Sequence, residues 1–374
     1  NQGMDISGML DVAASQTVTI NSASNVGSLQ MNGDLAGTSS LAVIGAAQFS
    51  GSNNIDLVSL ITQGTSTLNG TAVELGSTTT WDNQGLLNWS AGDLGSSASG
   101  VLDNQGIMNI SGTAGTLGVE LNNLASGQIT QSALGTVTVS QLLDNAGDVT
   151  LTTGVLDVSA NGFDQSAGQL ILNGGSLQGG STTSNITGGV VDYNSGALNA
   201  DMLIGSTASI SVNSNLTTTN QLTVDGSASI AAAANLDLTQ VDTHAGSFTV
   251  DGTLTSSAAQ TFNGSLSGAG LLDVQSGATS IGNLTNLDIA IAGGASLANT
   301  GTATVGTISN AGVLTISSGS LDTTGLTQTA GSTVLSGGTL SSASGVVDIQ
   351  GGTLDLQSGG TLDAQTTIGS TGNL

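Results

Sequence analysis

The chain has no lysine and no arginine, against 25 acidic residues and one histidine, so its formal net charge is −25. Salt bridges to lysine or arginine cannot form, and no basic patch exists to contact phosphates. A surface this negative repels nucleic acid and anionic membranes. We therefore expect neither nucleic-acid binding nor membrane insertion. The lack of trypsin cleavage sites suits a protein that meets proteases.

Cysteine and proline are also absent, and aromatic residues make up only 2% of the 374 residues. Without cysteine there are neither disulfides nor thiolate metal sites. Without proline, collagen and polyproline structures are excluded. No apolar run has the length of a membrane span, and no targeting element is recognisable. The 57 glycines among valine, leucine, isoleucine and alanine indicate glycine-turned β-structure.

A repeat of about 21 residues runs through most of the chain. Its unit is a glycine followed by two alternating apolar residues, Gly-x-Φ-x-Φ with Φ apolar, as in GDVTL at residues 147–151. Alternate residues of a strand point to the same face, so both apolar side chains of a unit share one interior. The unit or a close variant recurs at nearly constant spacing, at Gly85, Gly106, Gly127, Gly147, Gly168 and Gly189.

Steps of seven residues divide each repeat into three short strands. Parallel strands cannot be joined by hairpins, and no helical pattern is present to serve as a crossover. A coil in which each turn lies on the last satisfies both conditions. The sequence therefore predicts an all-β fold, a right-handed parallel β-helix (β-solenoid) of three parallel sheets with about 20–21 residues per rung. Its predicted interior contains Leu87, Trp89, Met108, Ile110, Val149, Leu151, Leu170, Leu172, Leu314 and Ile316.

The repeat is less regular at the start of the chain. Residues 1–80 contain longer inserts and are expected to form irregular rungs with loops, whereas residues 81–374 are expected to form regular rungs. The first three residues, Asn-Gln-Gly, occur again at 83–85 and 104–106. Since neither end shows the polar cap that a solenoid normally needs, we expect one continuous segment of a longer repeat protein, or a subunit that stacks on its own kind.

Asp82 and Asp103 are the candidate metal ligands, because they lie one period apart in matching Asp-Asn-Gln-Gly sequences. Stacking would place the carboxylates about 5 Å apart, where they could share a hard cation such as Ca²⁺. The alternative is that these residues favour the turn and that Asn83 and Asn104 form a hydrogen-bonded amide ladder. Counting one more period puts Leu124 in this column, so no ladder of cation sites is expected. Ca²⁺ is the only cofactor that the sequence suggests.

Catalysis is not expected. His244 is the single imidazole, and its setting in VDTHAG, residues 241–246, predicts a polar side chain in a turn before a strand. A catalytic triad would also need a positioned nucleophile. Paired carboxylates alone can hydrolyse glycosides, but no aspartate pair is marked by a cleft-forming insertion. A polysaccharide-active enzyme on a β-helix scaffold is therefore the less favoured alternative.

Threonine pairs such as Thr136 with Thr138 and Thr150 with Thr152 are similar to those of ice-binding solenoids, in which outward Thr-x-Thr repeats on every rung. The rung after Thr150 offers Ile171 instead. A threonine pair without matching pairs on the adjacent rungs lacks the structural context of the motif, so we expect no flat threonine array here.

Two heptapeptides carry a family resemblance: NAGDVTL at 145–151 and NAGVLTI at 310–316. Such units resemble the repeats of large secreted bacterial exoproteins, the filamentous haemagglutinins and autotransporter passengers, over about residues 81–363. The resemblance implies a right-handed β-helix that presents adhesive surfaces outside the cell. No functional residue of those families can be assigned to a position of this chain. The chain departs from these families in having no lysine, no arginine and no recognisable secretion domain.

Composition and resemblance together predict an extracellular structural or adhesive rod without enzyme activity, the stalk of a large bacterial surface adhesin or exoprotein. A self-stacking subunit of an extracellular filament or sheath is the first alternative. The expected partners are a host, cell-surface or glycan receptor, or further copies of the chain in end-to-end or lateral contact.

The negative charge gives a first test. Carboxylates repel one another in this chain, and dissolved cations, divalent ones especially, screen that repulsion. We expect the thermal unfolding midpoint to rise when millimolar Ca²⁺ or Mg²⁺ is added, and also at mildly acidic pH. Calorimetry in NaCl of the same ionic strength is the control. A midpoint indifferent to both changes would contradict the idea that repulsion limits stability.

Overall fold

The computed structural model describes residues 5–70, 72–95, 100–112 and 115–374, and every regular element in them is a β-strand. The chain divides into two compact units, Asn1–Asp201 and Met202–Leu374. Each unit is built from parallel strands that coil on themselves. The N-terminal Asn-Gln-Gly sequence, predicted to repeat the pattern of residues 83–85, lies outside the described residues.

The strands of the first unit are β1 (Asp5–Val12), β2 (Thr17–Thr19), β3 (Ser24–Met31), β4 (Asp34–Ala36), β5 (Ser40–Val43), β6 (Ala47–Phe49), β7 (Ser52–Asp56), β8 (Ser59–Thr62), β9 (Thr65–Leu68), β10 (Ala72–Leu75), β11 (Thr80–Asn83), β12 (Leu86–Trp89), β13 (Asp93–Leu94), β14 (Val101–Asn104), β15 (Ile107–Ile110), β16 (Gly115–Leu117), β17 (Glu120–Asn123), β18 (Gln128–Gln131), β19 (Thr136–Val139), β20 (Leu143–Asn145), β21 (Asp148–Leu151), β22 (Val155–Asp157), β23 (Phe163–Gln165), β24 (Gln169–Gln178), β25 (Ser184–Ile186) and β26 (Gly189–Asn199).

The strands of the second unit are β27 (Met202–Ile204), β28 (Ala208–Val212), β29 (Leu216–Thr218), β30 (Leu222–Val224), β31 (Ser227–Ile230), β32 (Asn235–Leu238), β33 (Asp242–His244), β34 (Ser247–Val250), β35 (Thr253–Ser256), β36 (Gln260–Ser267), β37 (Leu271–Val274), β38 (Ala278–Thr285), β39 (Asp288–Ile291), β40 (Ser296–Asn299), β41 (Thr302–Asn310), β42 (Val313–Ile316), β43 (Ser320–Gln328), β44 (Ser332–Leu335), β45 (Thr339–Leu356) and β46 (Thr361–Asn373).

Each strand pairs in parallel with its counterpart one turn later. In the first unit β8 pairs with β11, β11 with β14 and β14 with β17, a step of three strands per turn. Three strands per turn produce three parallel sheets. In the second unit some strands, such as β36 and β41, run through a corner and belong to two sheets. The predicted all-β parallel solenoid is thereby confirmed, and the coil is consistent with the right-handed β-helix.

The length of the rung varies along the chain. Trp81 pairs with Leu102, an offset of 21, whereas Leu102 pairs with Leu121, an offset of 19. In the second unit Leu297 pairs with Leu314, an offset of 17. The corners between strands absorb these differences, because side chains that face the interior stay in register at every offset. The period predicted from the sequence therefore describes the first unit better than the second.

The interior is a stack of aliphatic columns. The ten side chains predicted to face it are at most 3% exposed, namely Leu87, Trp89, Met108, Ile110, Val149, Leu151, Leu170, Leu172, Leu314 and Ile316. Leu87 pairs with Met108 and Trp89 with Ile110 on successive rungs, so each apolar side chain packs on those above and below it. Burial of apolar surface at roughly 25 cal/mol per Å² is the main stabilising contribution of such a core.

A column of buried amides runs beside this core in the first unit. Asn83, Asn104, Asn123, Asn145 and Gln165 end the successive strands β11, β14, β17, β20 and β23, and all are at most 1% exposed. The amide nitrogen of each asparagine donates to the side-chain oxygen of the next member, at 2.7, 2.8, 2.7 and 3.0 Å. The amide ladder is therefore continuous over five rungs.

The register shows that the prediction for Leu124 was wrong. Asn122 pairs with Asp103, and Asn123 pairs with Asn104. Leu124 follows this strand, because the rung is shorter by two than the one before it. The amide ladder thus continues where a constant period would end it.

Breaking the ladder in its middle should destabilise the first unit. In the Asn104→Ala variant the Nδ2 of Asn83 and the Oδ1 of Asn123 each lose a partner inside the protein. An unsatisfied buried polar group costs about 1–3 kcal/mol, so we expect the thermal midpoint to fall by several degrees. Asn109→Ala is the matched control, since Asn109 lies on an outer face and donates to Asn88 at 3.2 Å. Equal losses in the two variants would contradict the role of the ladder.

Candidate functional site

The two predicted cation ligands lie side by side on an outer face of the first unit. Asp82 on β11 pairs with Asp103 on β14. Asp82 Oδ2 accepts a hydrogen bond from Gln84 Nε2 at 2.7 Å, and Asp103 Oδ1 accepts one from Asn122 Nδ2 at 2.9 Å. Asp82 Oδ1 is buried and has no hydrogen-bond partner among the described residues. The two carboxylates supply fewer oxygen ligands than a complete Ca²⁺ site, which takes roughly six to eight.

The same column continues beyond this pair. Asn122 pairs with Asp144, Asp144 with Asp164 and Asp164 with Asn185. Asn185 Nδ2 donates to Asp164 Oδ1 at 3.0 Å. A groove of about 300 Å³ beside the column is lined in part by Glu120, Asn122 and Asp144. Across the described ranges, no cluster of three or more histidine, aspartate or glutamate side chains could hold a metal ion.

His244 lies in the interior of the second unit, so its prediction as a polar turn residue was wrong. It ends β33 and is fully buried. Its Nδ1 accepts from the backbone N–H of Val224 at 3.2 Å, which leaves the ring proton on Nε2, 3.0 Å from Gln260 Oε1. Phe262 stacks on the ring with centroids 5.0 Å apart, and Phe248 meets it edge-on at 5.3 Å. This imidazole holds the interior together and exposes no atom to a substrate.

The surroundings of His244 favour the neutral ring. Burial lowers the pKa of His244 below 6.5, and the hydrogen bond to Gln260 and the carboxylates of Asp242 and Asp225 oppose that shift only in part. Protonation would also place a donor at Nδ1 against the N–H of Val224, which would then lose its acceptor.

One outer surface of the second unit was not predicted. Strands β28, β31 and β34, with the second part of β36 and of β38 and the first part of β41, β43, β45 and β46, stack into one sheet. Each strand presents two outward positions. In rung order they are Ser209 and Ser211, Ser227 and Ser229, Ser247 and Thr249, Ser265 and Ser267, Asn283 and Thr285, Thr302 and Thr304, Ser320 and Asp322, Thr339 and Ser341, and Thr361 and Asp363.

We call these eighteen positions the hydroxyl face, since fifteen of them are serine or threonine. From Ser209 to Thr304 the face carries no charged side chain, and its two carboxylates, Asp322 and Asp363, lie further along. Successive rungs of a parallel sheet are ~4.8 Å apart, and alternate residues of one strand are ~6.6 Å apart. The hydroxyls therefore form a two-column array of fixed spacing.

The array escaped prediction for an identifiable reason. Thr150 does pair with Ile171, so the threonine pairs of the first unit form no array there. The hydroxyl face instead mixes serine with threonine and follows rungs of varying length, with an offset of 18 from Ser211 to Ser229 and of 20 from Ser229 to Thr249. Six of its nine rungs are triplets of hydroxyl, apolar and hydroxyl residues, a pattern that can be recognised in the sequence without a fixed period.

Comparisons of the chain with protein-family models, with curated proteins and with solved structures found no match. In the part of the chain that the structure describes, no helix is long and apolar enough to cross a membrane. The architecture of each unit is that of β-helix repeat proteins, and the relation to haemagglutinin or autotransporter repeats stays a prediction.

Acid should weaken the second unit through His244. Its pKa is lowered in the folded state, so the unfolded chain binds the proton more readily. The ring's contribution to stability is complete above pH 6.5 and is lost as the pH falls from 6.5 to the folded-state pKa. We expect the thermal midpoint of the wild type to fall relative to that of the His244→Gln variant between pH 7.5 and 5.

The difference between the thermal midpoints of the wild type and His244→Gln leaves out the contribution of the carboxylates, because both proteins contain the same carboxylates. Thr243→Gln, at the exposed neighbouring position, is the matched control and should keep the pH dependence of the wild type. If the thermal midpoints of the wild type and of His244→Gln change with pH by the same amount, the imidazole does not couple stability to pH.

Proposed function

We propose that the chain is an extracellular, non-enzymatic β-solenoid with a structural and adhesive role at a bacterial cell surface. The observation that carries the proposal is the hydroxyl face, a repeated and accessible surface on a regular scaffold. The resemblance of residues 145–151 and 310–316 to exoprotein repeats supports it, as does a composition without lysine or arginine.

The construction of each unit suits this role. Backbone pairing and the buried columns specify the interior, while the outward positions of every strand can vary without disturbing it. Each rung then adds one more copy of a weak contact at a fixed distance from the last. Linked weak contacts reach a high overall affinity when all can engage at once. This is how a surface without a deep pocket can adhere.

Catalysis on the same scaffold is the competing function. Two carboxylate pairs, Asp82 with Asp103 and Asp144 with Asp164, share one outer column. Hydrolysis of a glycoside needs a proton donor and a base or nucleophile placed on either side of the bond. Aspartates stacked in a single column lie on the same side of any chain bound along it. This arrangement favours the adhesive function over the hydrolytic one.

Adhesion can be tested with a pair of charge-matched variants. The face variant, Thr249→Asp with Thr285→Asp, places carboxylates on the hydroxyl face. The control variant, Thr261→Asp with Thr315→Asp, places the same charge on another outer face of the same unit. We expect beads coated with wild type or control to be retained on neutral glycan films or fixed cells, and retention of the face variant to fall at least fivefold.

Two further results would overturn the proposal. One is equal retention of both variants on every surface. The other is turnover of an acidic or neutral glycan, measured as released reducing sugar and abolished by a single aspartate substitution. Electron micrographs of the purified chain test the alternative of a self-stacking subunit, for which filaments are expected.

A further inference from the structure

The hydroxyl face differs in its charge from one of the other two outer surfaces of the second unit. On the sheet that contains β32, β37, β39 and part of β45, outward positions include Asp237, Asp273, Asp288 and Asp348. Six successive rungs of the hydroxyl face carry no carboxylate, in a chain of net charge −25. A partner recognised by its positive charge, such as a metal ion or a basic peptide, would therefore be drawn to the sheet with these aspartates and not to the hydroxyl face.

A second copy of the chain is a poor fit to this face. Nine rungs at ~4.8 Å span about 40 Å, and two columns with their side chains cover about 10 Å, so the face offers about 400 Å². Stable protein interfaces bury about 800 Å² on each partner. The outward positions also include no aliphatic or aromatic side chain that could form the dry centre of an interface.

A single neutral sugar in solution gains little here, in contrast to a glycan film that contacts many rungs at once. Each hydroxyl would exchange a hydrogen bond to water for a similar one to the sugar, and the net gain of such an exchange is small. Sugar rings commonly add to this by stacking on exposed aromatic rings. Every aromatic side chain of this protein is at most 4% exposed, namely Phe49, Trp81, Trp89, Phe163, Tyr193, Phe248 and Phe262.

Ordered water is the partner that the face suits. A hydroxyl donates one hydrogen bond and accepts two, so it can enter a water network in either orientation. The side chains between the two columns, such as Ile210, Phe248 and Leu284, are buried and hold the strand in place. The array is therefore positioned before any partner arrives, which removes most of the ordering cost of binding. Charged groups, which would orient water around themselves, are missing from six rungs.

We propose that the hydroxyl face binds crystalline water, so that the protein adheres to ice. The proposal rests on the proposed function in one respect, that the hydroxyl face is the working surface. Water held by the hydroxyls at fixed spacing becomes part of the growing lattice, and no hydrogen bond to liquid water has to be given up without replacement. Many weak contacts along one rigid array then act together.

Ice-affinity partitioning tests the proposal directly. Fluorescently labelled wild type, face variant and control variant are each frozen slowly onto a cold finger, and the fraction of protein in the ice is measured beside an inert albumin. We expect wild type and control to enter the ice and to inhibit ice recrystallisation. The face variant should lose at least tenfold in both measurements. Far-UV spectra and thermal midpoints that match those of the control establish that it is folded.

The outcomes separate this inference from the proposed function. Exclusion of the wild type from ice, like the albumin, overturns the inference. Entry of both variants into ice to the same extent overturns it as well, since another surface would be responsible. Face-dependent retention on glycan films without ice binding identifies a glycan as the partner, which overturns the inference and leaves the adhesive function standing. If neither ice nor films distinguish the variants, both proposals fall.

Discussion

Parallel hydrogen bonding between successive rungs is the interaction on which the rest of this structure depends. It holds each strand at one fixed distance from its counterpart and stacks equivalent positions into columns. The repeated glycine follows from this closeness. A Cβ at Gly106 would collide with the backbone oxygen of Gly85 on the preceding rung, and one at Gly168 with that of Gly147. The turns of the coil can lie directly on one another only because no side chain occupies these positions.

Stacking like upon like has opposite consequences for different side chains. Aliphatic side chains stacked in one column pack on one another. Stacked amides form hydrogen bonds, because an amide both donates and accepts and can bond to an identical neighbour. Carboxylates only accept, so two of them in one column repel. In the outer column of the first unit an amide separates two aspartate pairs: Asn122 stands between Asp103 and Asp144 and donates to Asp103. Hydroxyls, like amides, both donate and accept hydrogen bonds, so they can be stacked in one column without repulsion. A face can therefore be built from them.

The single imidazole shows how much the interior depends on matching donors with acceptors. His244 completes its column by accepting from Val224 and facing Gln260, with Phe248 and Phe262 around it. It is also the one side chain in the protein that acid can make positive. Acidification charges this ring inside the protein, which costs stability there because burial lowers the pKa of His244.

The sequence by itself determined the fold class, the three-strand rung and which residues face inward at positions such as Leu87 and Leu314. These depend on local signals, the alternation of apolar residues and the glycine at each turn. It also placed Asp82 beside Asp103, because the rung between them has the length that the repeat predicts.

The tertiary structure alone decided which residues share the longer columns. Rung length is set by the corners, which vary by several residues without breaking the alternation. Small differences therefore accumulate, and only the folded chain reveals that Asn122 follows Asp103, that His244 points inward, and that fifteen hydroxyls meet on one face.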